Sequence, residues 1–244
     1  MWRGGIEPEE PTGRVIADKG SGAVNTHNRY AALLFQLFAV ACGMSAARAE
    51  EATQRFDPSK YSQAPTSCDL LASHPDDPNR VAPGRERTEI AKDFPGVIAA
   101  CRTAVERDPG NPRLQYQLAR VLGYSGQGKL AMPHRAKAVQ GGYPQALFVV
   151  GFLYLTGQNE NPKDPCRAGE LIRESAIEGR IAGQIGFPRY AMQGLFDGCD
   201  VKVEGTEMLG FLDAAAKQVA GDYYRTMLVE LLRGSVNAGR PTRQ

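Results

Sequence analysis

The chain has little from which a reactive centre could be built. Its 244 residues include three histidines, one tryptophan and five cysteines. No two cysteines have C-x-x-C spacing, so neither a dithiol redox motif nor a paired-cysteine zinc site can be read from them. H-E-x-x-H, S-x-x-K and the phosphate-cradling G-x-x-x-x-G-K-[ST] are absent too. No charge of one sign dominates: 29 basic residues face 27 acidic ones. That balance gives no basis for nucleic acid or an anionic membrane surface as partner. Alternating β-branched runs bounded by hairpin turns are missing, so a sheet is not expected.

Long apolar runs are equally scarce. The one candidate, Tyr30 to Met44 (YAALLFQLFAVACGM), falls short of the ~20 residues that a membrane span needs. Its flanks predict a secretory signal peptide instead. Arg29 precedes it, and Ala47-Arg48-Ala49 follows as an A-x-A site, with cleavage between Ala49 and Glu50. The 28 residues before Arg29 are too long and too acidic for a signal start, which puts the true start near Val24. A rival at the same place is a lipobox, Ala39-Val40-Ala41-Cys42, with Cys42 lipidated.

Removing Cys42 leaves Cys68, Cys101, Cys166 and Cys199, an even number that implies two disulfides in an exported chain. Three pairings are possible. Cys68–Cys101 and Cys166–Cys199 are favoured, since each joins near neighbours 33 residues apart.

What is abundant is helical periodicity. Residues 50–66 read as a flexible lead-in, 67–234 as a helical repeat domain and 235–244 as a disordered tail. Asn111-Pro112 is an N-cap followed by proline, with Leu114, Leu118, Val121 and Leu122 on one face. Asp164-Pro165 repeats the device, with Ala168, Leu171, Ile172, Ser175 and Ala176 as its stripe. Asp222 opens a third helix, with Tyr224, Met227, Leu228, Leu231 and Leu232 expected inward. Segments ending at Gly126, Gly157, Gly194 and Gly234 alternate with Ala-rich helices ending at Gly142, Gly179 and Gly221. This is the signature of stacked helix pairs, an all-α solenoid of about four helix-turn-helix repeats.

The pattern A-x-x-x-G-x-x-Y-x-x-G, a loop, then A-x-x-x-x-x-x-A-x-x-G resembles the Sel-one-like repeats, relatives of the tetratricopeptide repeats. Ala146 to Gly157 followed by Ala168 to Gly179 carries it best. VIAACRTAVERDPGNPRLQYQLARVL is similar to a tetratricopeptide pair, and CDLLASHPDDPNRVAPG before it resembles a segment of exported alphaproteobacterial repeat proteins. The resemblance covers about Cys68 to Gly234. Pro188 departs from it, and should delay or kink the first helix of the third pair. The family resemblance implies binding along a concave face lined by first helices. Arg113, Gln117, Arg120, Gln145, Arg189 and Arg225 are the candidates there, suited to an acidic or carboxylate-bearing protein partner.

Other residues carry weaker signals. Gly123-Tyr124-Ser125-Gly126-Gln127 misses the nucleophile elbow at its last position. His74 beside Asp76 and Asp77 reads as a solvated turn, and His134 as surface. Tyr116, Tyr124, Tyr143, Phe148, Phe152, Tyr154, Tyr223 and Tyr224 read as packing. The expectation is therefore a non-enzyme, needing no cofactor or metal, that mediates protein–protein contacts or scaffolding in the bacterial cell envelope. The alternatives are a cell-wall-directed hydrolase and a secreted effector.

Overall fold

A computed structural model describes residues 55–239. The expected signal peptide, its Ala49/Glu50 cleavage point, the lipobox at Cys42 and the start near Val24 all lie outside the described residues. Within them are ten α-helices and no strand. They are α1 (Ser67–Ala72), α2 (Arg87–Ile90), α3 (Phe94–Arg107), α4 (Pro112–Tyr124), α5 (Gly128–Gln140), α6 (Pro144–Thr156), α7 (Pro165–Ile177), α8 (Ile181–Met192), α9 (Gly205–Gln218) and α10 (Tyr223–Asn237). Each packs mainly on its neighbours in sequence, and α1 also reaches α4. The result is an α-solenoid in which α4/α5, α6/α7 and α8/α9 are the hairpins and α10 is a last, single first helix.

Local chemistry sets the helix starts. The carboxylates of Asp93, Asp164 and Asp222 and the Asn111 side-chain oxygen each accept from a backbone N–H of the first turn. Proline follows in the first turn of α3, α4, α6 and α7, where a missing N–H costs nothing. Gly157, at φ 68°, ends α6 in the left-handed region that a side chain disfavours.

The core is a row of clusters and not one centre. The first gathers Cys68, Ile90, Val97, Cys101, Leu114, Leu118 and Leu122; the last holds only Leu212, Ala215, Val219 and Val229 at full burial. Each apolar cluster is thus built mainly from neighbouring helices. Helices approach closest at Gly183, where a Cβ would lie 2.6 Å from the Ala176 backbone nitrogen. Gly151 faces Ile172 in the same way, at 2.7 Å.

The stripes expected in α4 and α7 are buried throughout. The α10 stripe is not: Tyr224, Met227, Leu228 and Leu231 are exposed, and Val229 is the buried residue. Among the described residues α10 packs on α9 and α8, and no other helix lies over that side of it. α8 begins at Ile181 and runs through Pro188, which is buried beside Phe187, so packing overrides the lost backbone bond and the late start expected there does not occur. Gly234 lies inside α10, which continues to Asn237, so the first residues of the expected tail are helical.

The disulfides pair Cys68 with Cys101 and Cys166 with Cys199. The first ties α1 to α3. The second ties the start of α7 to the long connection between α8 and α9, where Phe196 packs on Phe187.

Candidate functional site

The residue at the amino end of each first helix is polar, and these residues touch one another. Gln145, second in α6, donates through Nε2 to the Tyr116 hydroxyl of α4 at 3.1 Å. Its Oε1 accepts from Nε of Arg180, the N-cap of α8. Tyr143, the N-cap of α6, sits 5.8 Å from Tyr116, ring centre to ring centre. A buried polar seam therefore runs from α4 to α8.

The chain's own amino-terminal segment lies against that seam. Where the composition predicts a flexible lead-in, the structure places a 3-10 turn at Pro58–Lys60 and a set of anchors. Arg55 pairs with Glu178 at 3.2 Å, and Phe56 meets the Tyr143 ring edge-on at 5.1 Å. Arg113 donates to the Ser62 carbonyl at 3.0 Å. Beyond α1, residues 73–85 close into a loop whose ends meet where the Arg85 N–H donates to the Ser73 carbonyl at 2.8 Å. Arg120 clamps its base, donating to the carbonyls of Ala72, Ser73 and Arg85 at 2.8–2.9 Å. At its tip the Tyr143 hydroxyl donates to Asp77 Oδ2 at 2.6 Å, and Asp76 pairs with Arg225 of α10 at 3.5 Å.

Four of the six residues expected on an open binding face are consequently enclosed. Arg113, Gln117, Arg120 and Gln145 are at most 7 % exposed. Arg113 and Gln117 both donate to Asp69 of α1, which is fully buried, at 2.8 and 2.9 Å. Their role here is to hold the folded-back segment, a correction to the expectation that they meet a partner from solvent. Arg189 and Arg225 are exposed. Arg189 lies 5.9 Å from the centre of the Tyr190 ring, and Arg225 also pairs with Asp222 at 3.4 Å.

Electrostatics follow from this enclosure. His74 is half-buried, not a solvated turn; burial, with the charges of Arg120 and Arg180, pushes its imidazole down to about 4. Burial raises the Asp77 carboxyl, against the opposing bonds from Tyr143 and Asn79. Burial likewise lowers Arg180 and raises Tyr143 well above the phenol range. Among the described residues two buried side-chain polar atoms lack a hydrogen-bond partner, Gln117 Oε1 and Arg180 Nη1.

Ser125 occupies the C-cap of α4, donating to the Leu122 carbonyl at 3.1 Å and accepting from Gln127 at 2.9 Å. His134, on α5, pairs Nδ1 with Gln115 Oε1 at 2.7 Å. Among the described residues no three His, Cys, Asp or Glu side chains gather to hold a metal, and no helix is long and apolar enough to cross a membrane. Tyr116 and Tyr143 are core residues, but Tyr223 and Tyr224 are 73 % and 76 % exposed, against the expectation that they pack.

A second feature escaped the sequence pattern. Arg189, Met192, Leu228, Leu232 and Ser235 line a groove of about 510 Å³ between α8 and α10. The same helix α10 leaves Tyr224, Met227 and Leu231 exposed.

No family model matches the chain, and no curated protein matches it. One solved structure is similar: a protective antigen present in uropathogenic Escherichia coli strains, displaying an SLR fold. The identity is 18 % and the TM-score 0.41, over 64 % of this chain and 34 % of that one. This chain thus matches about a third of that protein's length.

Proposed function

We propose that this chain is an exported helical-repeat protein that holds a protein partner in the bacterial cell envelope, as a scaffold. The observation that carries the reading is the apolar side of α10 that no described helix covers. Here α10 leaves Tyr223, Tyr224, Met227, Leu228 and Leu231 between 36 % and 76 % exposed, beside an apolar groove. A contiguous apolar surface of this kind marks a contact site. Its shape suits an amphipathic helix of the partner, laid along α8 and α10. The two disulfides support an oxidising compartment.

The test is a photo-crosslinking residue placed at Leu231 in the full-length protein, with Glu106 on α3 as control. One stoichiometric heterologous adduct at Leu231, absent at Glu106 and weakened by Leu228→Glu, supports the reading. Adducts with itself alone, or none, refute it.

A further inference from the structure

Arg225, at the start of α10, holds part of the chain itself: its guanidinium pairs with Asp76 at 3.5 Å. The loop of residues 73–85 carries adjacent carboxylates at its tip, where two successive turns have Pro75 and Pro78 at their second positions. The turns close through Asp77 N–H to the His74 carbonyl at 3.1 Å and Arg80 N–H to the Asp77 carbonyl at 3.3 Å. Those carboxylates reach three successive repeats. Asp77 meets Tyr143 at the start of α6, Asp76 meets Arg225 at the start of α10, and both act electrostatically on Arg180 at the start of α8. The loop resembles a bound peptide more than a connection.

It is also an imperfect occupant. Asp77 spends its two oxygens elsewhere: Oδ2 accepts from Tyr143, and Oδ1 accepts from the Asn79 N–H at 3.0 Å within the loop's own turn. Asp76 spends itself on Arg225. Arg180, 2 % exposed and carrying a full charge, is left with Gln145 on Nε and an unbonded Nη1. A buried guanidinium that has carboxylates nearby but hydrogen-bonds to none of them is a costly arrangement, because Nη1 is buried without a partner. The planar fork of an arginine is best satisfied by a carboxylate taken bidentately.

We propose that the Ser73–Arg85 loop is a built-in stand-in for an acidic segment of the protein partner, and that a partner bearing adjacent carboxylates displaces the loop tip to reach Tyr143, Arg180 and Arg225. The inference rests on the protein-partner reading above and adds the partner's chemistry. The base of the loop stays in place, held by Arg120 on three carbonyls and by the Arg85–Ser73 bond. The tip has fewer holds, and Asp76, Pro78 and Arg80 are exposed. A segment with its ends together and its tip weakly anchored opens without disturbing the helices beneath.

The probe is a fluorescein-labelled peptide copying residues 73–85, with an Asn-Asn version as control, titrated by anisotropy against the full-length protein. Asp76→Asn with Asp77→Asn keeps the loop length and unlatches the tip. The expected result is binding of the Asp-Asp peptide at least about tenfold tighter to this variant than to the parent, with the gain lost on adding Arg180→Gln and absent for the Asn-Asn peptide. Equal affinities, no binding to either, or a gain that survives Arg180→Gln overturns the proposal. Should the double variant fail to fold by circular dichroism, amide exchange on the parent decides instead. With the Asp-Asp peptide in excess, the amides of Asn79 and Arg80 exchange faster while that of Arg85 does not. An unchanged pattern overturns the proposal. An adduct at Leu231 that persists while these experiments fail sinks the stand-in alone; loss of the adduct sinks the scaffold reading.

Discussion

Replacing Asp69 with alanine is the sharpest probe of how the amino-terminal segment is held. Asp69 is wholly buried, and its oxygens accept from Arg113 Nε at 2.8 Å, Gln117 Nε2 at 2.9 Å, and the Thr66 N–H and hydroxyl at 2.8 Å each. Arg113 is 2 % exposed, so Asp69→Ala leaves its charge buried with only the Ser62 carbonyl for company. Breaking a buried pair from one side costs about 3–5 kcal/mol. Loss of the capping box on α1 contributes roughly 1 kcal/mol, and the two do not add because they share the same oxygens. For a domain of this size each kcal/mol lowers Tm by about 2–4 °C, which gives a fall of roughly 6–20 °C. The assay is thermal unfolding by circular dichroism with the disulfides intact, so that the Cys68 staple beside Asp69 stays the same in both proteins. Asp69→Leu with Arg113→Met should recover most of the loss, because an apolar pair needs no counter-charge. A single Asp69→Ala variant within about 1 kcal/mol of the parent would refute the claim that this pair secures the fold.

Three further outcomes follow from the packing and the charges. Cys166→Ala with Cys199→Ala opens a loop of 33 residues and should cost roughly 3–4 kcal/mol by chain entropy, read as a lower urea midpoint. An unchanged midpoint would mean that the α8–α9 connection is held by Phe196 and its neighbours alone. Gly183→Ala puts a methyl group against the α7 backbone and should cost about 1–3 kcal/mol, whereas Gly210→Ala, with open space around it, should be neutral or stabilising. His74 binds its proton near pH 4 in the folded chain but near 6.5 when unfolded, so the unfolded state takes up protons first on acidification. Stability from this residue is complete above pH 6.5 and falls as pH drops from there to about 4. Asp77, raised by burial, works in the opposite sense, its penalty being relieved as pH falls through its folded value. His74→Gln should flatten the decline in urea midpoint between pH 6.5 and 4.5, and an identical slope in both proteins would contradict the assignment.

Much of the stack is legible in the sequence because its determinants are local. The caps at Asn111 and Asp164 and the stripes of α4 and α7 depend on residues within two turns of one another. The failures have a common physical origin in contacts between residues distant in sequence. Periodicity identifies the apolar side of α10 but says nothing about whether a neighbour exists to cover it. Residue type marks Arg113, Gln117 and Arg120 as surface, and only the return of Asp69 and residues 73–85, some 35–48 positions away, encloses them. Pro188 reads as a helix breaker, yet it is buried inside α8, whose packing offsets the missing backbone bond. The sequence does align Arg113, Gln117 and Arg120 at i, i+4 and i+7 as one stripe beside the leucine face of α4, but a stripe of that kind does not reveal what covers it.

The spacing of the two staples bears on how the protein matures. If the chain is exported amino end first, as proposed, and Cys42 leaves with a signal peptide, Cys101 arrives beside Cys68 while Cys166 is still 65 positions behind. Under that condition the first bond can close before Cys166 or Cys199 is within reach, and order of arrival selects one connectivity of three, with little need for an isomerase to correct errors.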